Sequence, residues 1–463
     1  MGLRQIGALA AVLLIACSQT DDGNSKGTSD AAADASGNAG SGGSAGAAAS
    51  GGTAGGLNDS STTDSSTGGD SGVDGSAGTP NKPLEQCALR IDQDVVATPS
   101  VSEPGYLTPL KDPTFGTSVT RVSGDPGNAI GTLGKKWGDV ARHGYSKRQP
   151  WNADESLLYL DRDVAVFLDG HTFAPKLLAQ APVPMNESRW HPSKPAIRVY
   201  AADSAVGEWN VLAKTTKVIG SFPGYKDLHI GPYEGNLSHD GSHIALYGLA
   251  PNGKAVAFAY DLAKQAKDPD IPLEGVAVDW VSISPLGTYV VVNGWNDETQ
   301  VYTRTGVPVG ARWSEYGRPS HYDLAVDGKG DEVAVGVSKS KPDDGRVIKR
   351  GLKDGVVTVL TPGGYASHTS TRNIKRPGYA YVTYNYQGNV WLPYRDEIVA
   401  VPLDGSMAVQ RLGHLHALAL DYLGESQGVP TPDGRRVVFA SDWGAGPRPV
   451  RAYVIDTAPA CSP

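Results

Sequence analysis

The sequence predicts an all-β fold, a seven-bladed β-propeller whose ring is closed by an N-terminal strand. Three observations carry this reading. A polar turn motif followed by an apolar strand recurs seven times, the last repeat runs out of chain one strand short, and two cysteines, Cys87 and Cys461, bracket the repeats.

The clearest repeat is Thr431-Pro432-Asp433-Gly434 running into Val437-Val438-Phe439-Ala440, with a second copy in Ser238-His239-Asp240-Gly241 before Ile244-Ala245-Leu246-Tyr247. Asp and Gly suit a tight turn, because Asp bonds its own backbone and Gly tolerates positive φ. Weaker copies are Asn152-Ala153-Asp154 before Leu157, His191-Pro192-Ser193 before Ile197, and Ser284-Pro285-Leu286-Gly287 before Tyr289. Asp327-Gly328-Lys329-Gly330 before Val333 and Lys375-Arg376-Pro377-Gly378 before Tyr379 complete the set. The turns at 154, 193, 240, 286, 329, 377 and 433 are 39 to 56 residues apart, the period of four-stranded blades. Third strands are expected at 255–260, 397–401 and 450–455, and a fourth at 356–360. The seventh unit lacks its fourth strand, which residues 118–122 are expected to supply. That closure brings Cys87 near Cys461. An open stack of sheets or two smaller β domains are the alternative architectures.

These repeats resemble those of TolB-like β-propellers. The N-terminus carries an address of its own. Arg4, an apolar run over residues 6–16 and then Cys17 read as a signal segment. Leu14-Ile15-Ala16-Cys17 resembles the lipobox of bacterial lipoproteins, which implies cleavage before Cys17 and acylation of its thiol; an ordinary secretory signal is the alternative. Ser18 resembles outer-membrane sorting in Gram-negative bacteria. Residues 1–16 are thus a signal peptide. Residues 17–82 are the lipid anchor and a Gly/Ser/Ala/Asp tether too poor in apolar side chains to fold, with a coil dimension of roughly 45 Å. Residues 83–463 are the propeller. With Cys17 acylated in an oxidising envelope, Cys87 and Cys461 are expected to form a disulfide, two separate thiols being the alternative.

The formal charge of −8 belongs mostly to the tether, which carries eight Asp and two Lys from 18 to 82; without it and Arg4 the propeller holds −3. No basic stripe is present, so nucleic acid is excluded as the main partner. No Gly-x-Ser-x-Gly elbow and no phosphate loop occur. The membrane is reached only through the anchor, and a monomer is expected.

In a propeller, chemistry sits on the inner strands and the loops at their ends. The segments before the turn motifs are polar where a plain core would be Val, Ile and Leu. They bring His143, Tyr145 and Gln149; Glu187 and Arg189; Glu234 and Asn236; His321 and Asp323; His368 and Arg372; and Glu425 and Gln427. Three chemistries fit. One is a divalent metal held by imidazoles with Glu234, Asp323 or Glu425. The second is acid–base chemistry on uronates, with His or Tyr moving protons and Arg neutralising a carboxylate. The third is binding alone, with aromatics stacking on sugars.

Residues 145–152, Tyr-Ser-Lys-Arg-Gln-Pro-Trp-Asn, resemble propeller polysaccharide lyases of the oligogalacturonate and ulvan type. The resemblance implies β-elimination on uronate-containing glycans, with His143 and Tyr145 catalytic and His321, His368 and Arg189 or Arg372 as partners. Oligogalacturonate lyases carry a His-rich metal-binding stretch just before the last turn, where this chain has Glu425-Ser426-Gln427-Gly428 and no His. The expected function is therefore recognition of a polysaccharide or envelope protein through the polar channel face, with Gln149, Glu187, Glu234, Asn236, Asp323 and Gln427 as ligand-binding residues. A polysaccharide lyase and a TolB-like assembly scaffold are the alternatives.

Overall fold

The computed structural model describes residue 84 and residues 87–461, apart from 296, 315 and 386–391. The signal segment, Cys17 and the tether lie outside the described residues.

Seven antiparallel sheets form a ring, one per turn motif. Blade 1 holds Leu157–Leu160, Val166–Asp169 and Pro175–Leu178. Blade 2 holds Ser188–Trp190, Ile197–Ala202, Ala205–Asn210 and Thr215–Ser221. Blade 3 runs through Lys226–His229, His243–Leu249 and Ala255–Asp261 to the short outer pieces Ala266–Lys267 and Ile271–Pro272. Blade 4 is Val278–Ile283, Tyr289–Gly294, Thr299–Thr303 and Pro308–Trp313. Blade 5 is Pro319–Val326, Glu332–Ser338, Val347–Gly351 and Val357–Val359. Blade 6 is His368–Ser370, Tyr379–Tyr384, Glu397–Pro402 and Gln410–His414. Blade 7 comprises Val429–Pro430, Arg436–Ser441 and Val450–Asp456.

The fourth strand of blade 7 is Ser118–Arg121, which pairs antiparallel with Val450–Asp456 and carries Pro109–Lys111 outside it. The ring thus closes with strands from both ends of the chain. Closure abolishes two sheet faces that would otherwise be left uncovered. The Cys87 and Cys461 sulfurs form a disulfide at 2.08 Å across a sequence separation of 374. The segment after Cys87 lies along blades 6 and 7, where the buried Arg411 bonds both Asp92 and Glu397.

The core is not one mass. Each sheet buries both faces, so alternate residues of a strand serve opposite seams. Leu157 and Tyr159 pack with Trp190 and Trp209 between blades 1 and 2, whereas Leu158 and Leu160 pack with Val438 and Val454 between blades 7 and 1. Clusters of the same kind fill the other five seams.

One element departs from expectation. Residues 142–150, read as the inner strand of blade 1, form no strand. Val140–Ala141 instead adds in parallel to Val450–Asp456, and blade 1 keeps only a bridge from Trp151 to Leu158. The reason lies in the polar side chains of this stretch, which cross the ring axis rather than line one wall.

Candidate functional site at the ring axis

Residues 142–151 plug the axis. Arg142 enters first, its Nη1 donating to the carbonyls of Leu423 (2.7 Å) and Glu425 (2.5 Å). His143 follows, fully buried, with Nε2 2.7 Å from the Gln427 carbonyl. Burial, and then the Arg142 charge, keep this imidazole neutral. Gly144 has no room for a side chain, since a Cβ would lie 2.6 Å from Arg148 and 2.7 Å from Asp161. A turn then closes, with the Arg148 amide donating to Tyr145. It carries Lys147 to the far wall, where Nζ sits 2.8 Å from Glu234 Oε2 in blade 3 and 3.5 Å from the Trp280 ring centroid in blade 4. Tyr322 of blade 5 is 5.3 Å away. Gln149 then stitches back, its Nε2 donating to the carbonyls of Arg372 and Pro430 at 3.0 Å each.

The plug divides the axis into two ends. Every inner strand is preceded by a loop at one end, hereafter the loop end, and followed by its motif at the other, the turn end. Tyr145 and the histidine pair belong to the loop end. Tyr145 meets His368 edge-on at 5.6 Å, and His368 stacks on His321 at 4.9 Å with 23° between planes. His321 sits at φ 46° and its Nδ1 lies 2.9 Å from the Ser367 carbonyl. Glu425 Oε2 is 3.6 Å from His368 Nε2 and accepts from Gln427 Nε2 at 3.3 Å. Burial lowers the pKa of both imidazoles, aided by His321 in the case of His368 and by Lys339 in the case of His321. Burial likewise holds the Tyr145 phenol well above its ordinary range. On the opposite wall, burial and the neighbouring Glu234 charge push Asp279 up to about 7, while Asn293 donates to it at 3.1 Å. The mouth thus offers two neutral imidazoles able to accept protons, a protonated phenol and carboxylates.

The structure brings Tyr145, His321, His368 and, through Glu425, Gln427 into one neighbourhood, with Glu234 across the plug. His143 is linked to this neighbourhood through the Gln427 carbonyl. The two arginines serve as internal ties. Arg189 spends all three guanidinium nitrogens on the carbonyls of Gly235, Asn186, Ser188 and Tyr233, and burial lowers its pKa to about 9. Arg372 grips Asp323 through Nε and Nη2, both at 2.9 Å. Glu187 accepts from the Ile230 amide and pairs with His229 at 3.0 Å. Asn236 bonds the Lys147 carbonyl and takes Ser282 Oγ on its amide. These residues hold inner strands and plug together.

Sequence reasoning missed Lys147 and the loop aromatics. Five aromatic side chains are 40% to 53% exposed: Tyr233, Trp295, Tyr316, Tyr365 and Tyr422. Trp295, Tyr316, Tyr365 and Tyr422 lie before an inner strand or after a second strand and so at the loop end, whereas Tyr233 follows Lys226–His229 within blade 3. The signal was available, since each falls outside the alternating strand pattern. Among the described residues no group of three or more His, Cys, Asp or Glu could hold a metal ion. His321 and His368 lie face to face rather than converging on a point, so the residues present do not fit a divalent metal.

No protein-family model matches the sequence, and no curated protein matches it. Solved structures do. Oligogalacturonate lyase from Vibrio parahaemolyticus superposes with a TM-score of 0.52 at 12% identity, over 75% of this chain and 96% of that one. An oligogalacturonate lyase in complex with manganese gives 0.53 at 13%, over 75% and 95%. The WD40 domain of Neurospora crassa Pan2 gives 0.43 at 13%, over 68% and 89%. At such identity the likeness to oligogalacturonate lyase is one of fold alone, and the chain is a seven-bladed β-propeller of that general architecture.

Proposed function

We propose that this protein is a recognition module that holds an oligosaccharide on the loop end of its propeller. One observation carries the reading: among the described residues, Trp295, Tyr316, Tyr365 and Tyr422 are exposed aromatic side chains on segments at that end, the end that also holds His321, His368, Tyr145 and Glu425. Sugars stack their apolar faces on aromatic rings and orient through hydrogen bonds to polar groups. Calorimetry against a panel of uronate-containing and neutral polysaccharides tests it. Binding that weakens in Trp295→Ala and Tyr365→Ala is expected. Binding indifferent to Trp295, Tyr316, Tyr365 and Tyr422, or selective capture of a protein ligand in place of any glycan, would overturn it.

A second reading, β-elimination on a uronate, has support in the Tyr145–His368–His321 neighbourhood and in the fold likeness to oligogalacturonate lyase. In it an imidazole takes the C5 proton, the C4–O4 bond breaks, and the phenol donates its proton to the departing oxygen. The cation it calls for would be Lys339, whose charge acts on both imidazoles, since Arg189 is spent on carbonyls and Arg372 pairs with Asp323. Appearance of unsaturated product absorbance, lost in His368→Ala, would establish it; no product with or without added Mn²⁺ would end it.

We further propose that Cys17 is lipidated and that the tether carries the propeller away from an outer membrane. Cys17→Ser is expected to release the protein from the membrane fraction, and continued retention would refute the anchor.

A further inference from the structure

The turn end of the axis carries a small cavity of about 50 Å³ on the far side of the plug from the loop-end mouth. That is room for about three or four waters, or for one carboxylate group. Its walls come from five blades, and among the described residues no Asp or Glu lines it. Trp151 and Trp190 form the aromatic side, and His191, His239 and Arg372 the polar side.

The lining includes the amides Gln149, Asn152 and Asn236 and the Ser238 hydroxyl, but several of its nitrogens, Arg372 Nη1 and Trp151 Nε1 among them, lack protein partners among the described residues. Arg372 turns Nε and Nη2 to Asp323, which leaves Nη1 with no protein partner among the described residues. The Ser193 amide donates to His191 Nδ1 at 3.2 Å, so the neutral ring carries its proton on Nε2. The His239 Nε2 and Trp151 Nε1 atoms are buried with no partner among the described residues. A buried donor without an acceptor costs free energy, so this cluster is stabilised by whatever acceptor enters. Burial holds both imidazoles at about 4, and they are therefore uncharged near neutrality. A guanidinium edge and neutral N–H groups between indole walls suit a compact anion with two oxygens.

We propose that the turn-end cavity is a binding site for a carboxylate group, distinct from the glycan site at the loop end. The carboxylate's source is either a sugar acid or a peptide chain terminus, and both present the same chemistry.

The test uses the full-length protein with ¹³C-labelled histidine, titrated with sodium acetate and, as the neutral shape match, acetamide. His191 and His239 ring signals are expected to shift saturably with acetate in about the millimolar range and not with acetamide. Both imidazoles should titrate at higher pH in the bound form, since an anion favours the charged ring. His191→Phe is expected to weaken acetate about tenfold, and His191→Asn, which restores a donor, to recover part of that loss. Trp295→Ala should leave acetate binding unchanged. Equal response to acetate and acetamide, no saturable shift, or binding indifferent to His191→Phe would overturn the site. D-glucuronate and N-acetylalanine then separate a sugar acid from a chain terminus; the assignment also fails if neither binds at least as tightly as acetate. Acetate binding without oligosaccharide binding would leave this site standing and remove the loop-end reading.

Discussion

The two ends of the ring are both polar, yet they use polarity differently. At the turn end, Ser238 donates to Asp240 and Thr431 to Asp433 at 2.6 Å, and Asp327 accepts the amides of Lys329 and Asp331. These side chains replace backbone partners and tie one strand to the next. Its exposed apolar residue within a turn motif is the lone Leu286. At the loop end, aromatic rings are left in solvent; orphaned buried nitrogens occur at both ends, His368 Nδ1 at the loop end and His239 Nε2 and Trp151 Nε1 beside the turn-end cavity. A polar residue with all partners satisfied is evidence of architecture. An exposed ring or an orphaned nitrogen has no architectural purpose and points to a ligand.

The sharpest way to break this comparison is to cut a tie. Asp323→Ala leaves the Arg372 guanidinium buried without its carboxylate, and a loss of about 3–5 kcal/mol is expected in chemical denaturation. A loss under 1 kcal/mol would show that the Arg372–Asp323 pair is not a structural tie. Next comes Gly241→Ala. Gly241 sits at φ 74°, and a Cβ there would lie 2.6 Å from the His191 ring, so about 1–3 kcal/mol is expected to be lost, together with a displaced His191 signal. An unchanged signal would show that the contact is slack.

The third test is pH. Histidines held neutral by burial, among them His191, His239 and His416 at about 4, bind fewer protons folded than unfolded. Stability is therefore lost as pH falls from 6.5 towards about 4. Asp279 has the opposite sign. Its folded value of about 7 lies above the unfolded 3.8, so its contribution is present at low pH and is lost as pH rises through 7. Asp279→Asn should therefore steepen the acid-side loss, as followed by melting temperature; a shallower loss would reverse the assignment. The smallest expected effect on the fold is that of Trp295→Ala. It should change stability by no more than about 0.5 kcal/mol while lowering glycan affinity roughly tenfold.

Much of the ring was legible because blades are local. Each motif and the strand after it are neighbours in sequence, and Leu157–Leu160 and Glu397–Pro402 fall where the turn pattern puts them. The missing strand at 118–122 was legible from a count of strands per unit. The site was less legible. His321 and His368 were read at similar offsets in their blades, and their rings stack. His143 was grouped with them on its offset; its segment crosses the axis, and its ring meets the Gln427 carbonyl. Arg189 and Arg372 read as partners because isolated charge in an inner strand looks functional, and their carbonyl and carboxylate partners were not legible.

By itself the sequence determined the number of blades, the turn chemistry, the closing strand and the proximity of Cys87 to Cys461. All four follow from repetition and alternation, which are properties of neighbouring residues. Only the tertiary structure decided which polar groups are satisfied. Lys147 meets Glu234, Trp280 and Tyr322 from three different blades. No sequence interval encodes that meeting, because it exists only once the ring has closed and the plug has crossed its axis.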